Sequence, residues 1–69
     1  MPTPTQALLQ YFAYDHLKPE LQKFSKPFGV LAAQIEAHLP DGPEKTVCLR
    51  KLLEAKDCAV RAGLVDIDG

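Results

Sequence analysis

Four residues in the middle of the chain, Pro40-Asp41-Gly42-Pro43, limit what it can fold into. Proline has no N–H to donate and clashes with the preceding turn, so no helix runs through this stretch. Gly42 supplies backbone freedom, Asp41 supplies a capping carboxylate, and Glu44 is placed to reach back to it as in a capping box. The segment therefore reads as stop, tight turn and restart. On both sides of it apolar residues recur at intervals of three and four, the helical period, and nothing supports a strand. The expected fold is all-α, an antiparallel two-helix hairpin.

In the first helix, residues 19–39, Leu21, Phe24, Phe28, Leu31 and Ile35 form one apolar seam. Pro27 interrupts it, either kinking one long helix near Phe24 or starting another with Ser25 as its cap. The apolar phase continues through the proline, which favours one kinked helix. The second helix, residues 43–62, carries two stripes: Cys48, Leu52, Ala55, Ala59 and Ala62 on one, and Leu49, Leu53 and Val60 on the other. Gly63 suits a C-terminal cap and leaves 64–69 as an acidic tail. Residues 1–6 read as a loose lead, and 7–11 as a short apolar piece that cannot be an independent helix and must dock on something. Together these make a single helical-hairpin domain spanning 1–69.

A chain of this length has a marginal core, because a small domain leaves a large share of its surface in water. One seam on the first helix faces two stripes on the second, which leaves one stripe in need of cover. Self-association into a homo-oligomeric helical bundle supplies that cover, and Ala55, Ala59 and Ala62 are small enough for close helix approach. Cys48 and Cys58 lie on one helix, separated by roughly 15 Å at the ordinary helical rise, too far for a disulfide. They read as buried thiols in a reducing cytoplasm. The opening MPTPTQALLQ lacks the basic and long apolar regions of a signal peptide. No apolar run approaches the length that a membrane span requires. The expected location is therefore cytoplasmic, with no membrane partner. Eight basic residues against nine acidic ones argue against binding to a DNA or RNA polymer, but leave room for a small local anion site.

No phosphate loop, nucleophile elbow or metal-spaced Cys/His cluster occurs, and His16 and His38 stand far apart in the sequence. The expectation is no metal, no cofactor and no catalysis. What remains is an aromatic and basic cluster, Tyr11, Phe12, Tyr14, His16, Lys18, Lys23 and Lys26, in which rings suit nucleobases and ammonium groups suit phosphates. The plainer explanation makes Phe12 and one tyrosine core residues and the lysines a solvated face. Arg50, Glu54, Asp57 and Arg61 form a charged row, with Arg61 at the helix end, where it can favour the dipole or project into a subunit boundary. Lys56 lies in phase with Leu49 and Leu52, so it either snorkels or meets an anion, which makes it a ligand candidate.

Phe12-Ala13-Tyr14, Asp15-His16-Leu17, a proline-containing helix, the Pro40-to-Pro43 turn and the run from Leu49 to Arg61 resemble the helical-hairpin domain of phage anti-CBASS and anti-Thoeris sponge proteins. The resemblance covers residues 12–62. Its second-helix element, L-x-K-L-x-E-A followed by an alanine-rich stretch ending in arginine, is matched by Leu49, Lys51, Leu52, Glu54, Ala55, Ala59 and Arg61. The resemblance implies a homo-oligomer, a hexamer, that sequesters cyclic oligonucleotide immune signals in the host cytoplasm without cleaving them. It implies a cyclic dinucleotide pocket between subunits, built from Tyr11 or Tyr14 with Lys26, while His16, Lys23 and Lys56 remain ligand candidates on composition and helical phase alone. A separate cyclic trinucleotide site would fall to Arg61. The alternative is a structural or adaptor hairpin that binds another protein through its second apolar stripe.

Overall fold

Each α-helix of the described chain opens on a proline, in the first turn, where the missing N–H has no role. The computed structural model describes residues 4–68. Helix α1, Pro4–Leu9, runs into a single 3₁₀ turn, Gln10–Phe12, and the long helices α2, Pro19–His38, and α3, Pro43–Asp68, follow. No strand occurs among the described residues. The α2–α3 pair is the expected hairpin. Leu39 is held extended by the proline after it. It still donates its N–H to the Ile35 carbonyl (3.0 Å), and α3 restarts with the Thr46 N–H donating to the Gly42 carbonyl (3.2 Å).

The N-terminal segment docks on the hairpin as its third layer. Phe12, Ala32 and Leu49 are buried together, with Leu8, Leu9, Phe28, Ile35, Leu52 and Leu53 packed around them. Helix α2 continues through Pro27, and Ser25 lies fully buried in its interior rather than capping a new helix. The loose lead is corrected from Pro4 onward, where α1 begins, and residues 1–3 lie outside the described residues.

Further expectations are overturned. Leu31 leaves the seam, at 43% exposure, and Ser25 and Ala32 replace it between Leu21, Phe28 and Ile35. The contact face of α2 is turned toward its small residues because two helix backbones approach most closely where side chains are short. On α3 the larger side chains Leu49, Leu52, Leu53, Lys56 and Val60, with Gly63, fill the space this leaves, while Cys48, Ala55 and Ala62 are exposed. Cys48 and Cys58 are therefore exposed free thiols, not buried ones. Gly63 does not cap α3, which runs on as helix to Asp68 through what reads in sequence as an acidic tail. Its glycine answers to packing, since a Cβ there would run into the Phe24 ring.

The molecule is a rod of 41 × 19 × 19 Å, with α3, its longest helix at 26 residues, setting the long axis. Among the described residues, no helix is long and apolar enough to cross a membrane.

Candidate functional site

Two adjoining grooves run along the side of α2. The first holds about 450 Å³ on its outward face, where the apolar Pro27, Val30 and Leu31 share the lining with Lys23, Lys26 and Gln34. Residues three and four apart share a helix face, so this grouping follows from α2 itself. The Lys23 ammonium sits 5.1 Å from the centroid of the Phe24 ring. That is a cation–π distance. Lys26 is exposed and has no hydrogen-bond or ion-pair partner among the described residues.

The second groove, about 380 Å³, lies between the N-terminal segment and α2 and is lined by Leu9, Phe12, Tyr14, Gly29 and Ala33 among others. Gly29 lets the chain come close, for a Cβ there would be 3.1 Å from the Phe12 carbonyl oxygen and 3.4 Å from Cδ1 of Tyr14. Tyr14 is accordingly half-buried. The loop behind it is pinned by Leu17 N–H to the Tyr14 carbonyl (3.0 Å) and by the Gln22 amide to the Leu17 carbonyl (2.8 Å). Val30 lines both grooves, so Tyr14 and the Lys23–Lys26 pair belong to one continuous surface.

The other candidates stand apart. The side chain of Tyr11 is 56% exposed on the 3₁₀ turn and lines neither groove, while its carbonyl accepts a hydrogen bond from Lys56 Nζ at 2.8 Å. Lys56, only 13% exposed along its side chain, also lies 3.4 Å from the Asp57 carboxylate. Its charge is thus directed at protein acceptors. His16 is exposed in the turn after Tyr14. Arg61 is not at the end of its helix, since α3 continues to Asp68, and its guanidinium donates to Cys58 Sγ at 3.3 Å. The charged row pairs differently from its spacing, with Lys51–Glu54 at 3.7 Å and Lys56–Asp57 at 3.4 Å.

The most heavily engaged cation, Lys45, is not among the candidates that the sequence singles out. Buried to 5% exposure, its ammonium donates to the Glu36 carbonyl (2.9 Å) and to Asp41 Oδ1 (3.0 Å), and lies 3.3 Å from Glu36 Oε2. The hydrogen bond to Asp41 is the main cause that holds its pKa above the ordinary 10.5, against burial, with Glu36 adding to it. Asp41, one helical turn before it, is the available signal. Lys45 ties the interhelical turn to α2 and lines neither groove, so its role is architectural. Among the described residues, no group of three or more His, Cys, Asp or Glu side chains could hold a metal ion.

Comparison of the chain with protein-family models, curated proteins and solved structures gives no match.

Proposed function

We propose that this protein is a non-catalytic sponge for cyclic dinucleotides, working as a homo-oligomer in the cytoplasm of an infected bacterium. The observation that carries the reading is Lys26, a cation without a protein partner among the described residues, at the rim of an apolar groove that adjoins a tyrosine-lined one. A cyclic dinucleotide presents two phosphates and two flat bases, which need cations and ring or apolar faces side by side. Each groove has the volume of an ordinary small-ligand site. The exposed ring of Tyr11 is free to stack, and a second subunit can bring it to the Lys26 groove, which agrees with the intersubunit pocket implied by the family resemblance.

Thermal unfolding in the presence of a panel of cyclic dinucleotides tests this reading, because a ligand that prefers the native state stabilises it by RT ln(1 + [L]/Kd). At least one member should raise the midpoint and be recovered intact after denaturation of the complex. A linear product formed in proportion to protein would make the chain an enzyme. Unchanged midpoints across the panel would leave the adaptor reading in its place.

A further inference from the structure

We propose that Lys56 is a positioning residue that clamps the 3₁₀ turn against α3 and so fixes how the Tyr11 ring is presented. Helix α1 and the 3₁₀ turn are only six and three residues long. An isolated helix that short is unstable in water, so the placement of the segment must come from outside it. Leu8, Leu9 and Phe12 give apolar adhesion, which holds the segment down without fixing its rotation. Lys56 adds a directional contact at the 3₁₀ turn. Its ammonium reaches back from α3 to the Tyr11 carbonyl at 2.8 Å, and the side chain that carries it is largely covered. A charged donor to a backbone carbonyl is both stronger than a neutral pair and dependent on angle.

The bond is made to the backbone of Tyr11, so it leaves the ring free while setting the height and angle at which the ring leaves the turn. The Asp57 carboxylate lies 3.4 Å from the same ammonium and gives it a second acceptor beside the Tyr11 carbonyl. The clamp stands without any ligand; that it serves binding rests on the cyclic dinucleotide reading.

Amide hydrogen exchange and calorimetry on Lys56→Met, which keeps the aliphatic stem and loses the charge, test the clamp, with Lys56→Arg as the donor-retaining control. Exchange over residues 8–13 should quicken about tenfold in Lys56→Met while the α2 and α3 interiors change less than about twofold, and Lys56→Arg should recover most of the protection. Affinity for a cyclic dinucleotide should fall in parallel, with the unfolding midpoint little changed. Uniform acceleration throughout the chain, or none over 8–13, would overturn the clamp. A loosened turn with wild-type affinity would overturn its positioning role. If the wild type binds no cyclic dinucleotide, the sponge reading fails while the exchange pattern still decides the clamp. Should Lys56→Met not fold, Lys56→Gln, a neutral donor with a shorter reach, takes its place with the same exchange criterion.

Discussion

Gly63 and Ser25 are single positions where the ordinary effect of an alanine substitution is reversed or amplified by what surrounds them. In an exposed helix interior, glycine to alanine gains about 1 kcal/mol. At Gly63 the new methyl group would meet the Phe24 ring. Gly63→Ala should instead lose about 1–3 kcal/mol, read as a lower urea midpoint. Ser25 is the opposite case, because its hydroxyl is buried with no hydrogen-bond partner among the described residues. Ser25→Ala should stabilise the fold by about 1 kcal/mol in the same assay. An unchanged or lower midpoint for Ser25→Ala would mean that the hydroxyl is satisfied. Tyr11→Ala removes a mostly exposed ring but keeps the carbonyl that Lys56 holds. It should leave the unfolding midpoint nearly unchanged and cost about 1–3 kcal/mol of cyclic dinucleotide affinity in a calorimetric titration. Tyr14→Ala, which strips a half-buried ring from its seat on Gly29, should lower both stability and affinity.

At the scale of elements, the hairpin is legible in the sequence because its punctuation is covalent: prolines open each helix, and the Pro40-to-Pro43 turn separates α2 from α3 whatever packs against them. The continuity of α2 through Pro27 is legible from apolar phase. Rotation of the helices about their own axes is not, because the stripe containing Leu31 and the one containing Ala32 are equally periodic and only the partner surface chooses between them. The end of α3 is hidden for a related reason, since a glycine near a helix terminus reads as a cap until the Phe24 ring beside it is known. The aromatic and basic cluster supplies Phe12, Tyr14, Lys23 and Lys26 to the grooves, while Tyr11 lines neither and its carbonyl is bonded to Lys56 of α3, a separation no spacing rule measures. The interhelical turn carries its own pH signature. Because the Lys45 pKa is raised in the folded state, its contribution is fully present below the unfolded value near 10.5 and is lost as pH rises through the folded value. Unfolding followed from mildly to strongly alkaline pH should show wild-type stability falling more steeply than that of Lys45→Met, and equal slopes would remove Lys45 from the account.

The whole molecule is longer than it is thick, with a radius of gyration of 12.7 Å. A rounded domain of this length would be more compact. Val30, Leu31, Val47 and Val65 remain exposed along the rod, surface that a second copy can cover. Leu53 is a poor probe of that assembly, because it packs against the internal core and Leu53→Glu should unfold the subunit itself. Light scattering on the wild type is the cleaner test: a hexamer weighs six times the 7.6 kDa of one chain, and a mass of one chain would end the oligomeric reading. The proposed function turns on the groove that Lys26 lines. Its ammonium has no partner to lose among the described residues, so Lys26→Ala should leave the unfolding midpoint unchanged. In calorimetric titration of the same cyclic dinucleotide at one stated salt concentration, the variant should bind at least about tenfold more weakly than the wild type, the loss of a charge-assisted phosphate contact. Equal affinity in the two proteins would contradict the placement of the site in the Lys26 groove.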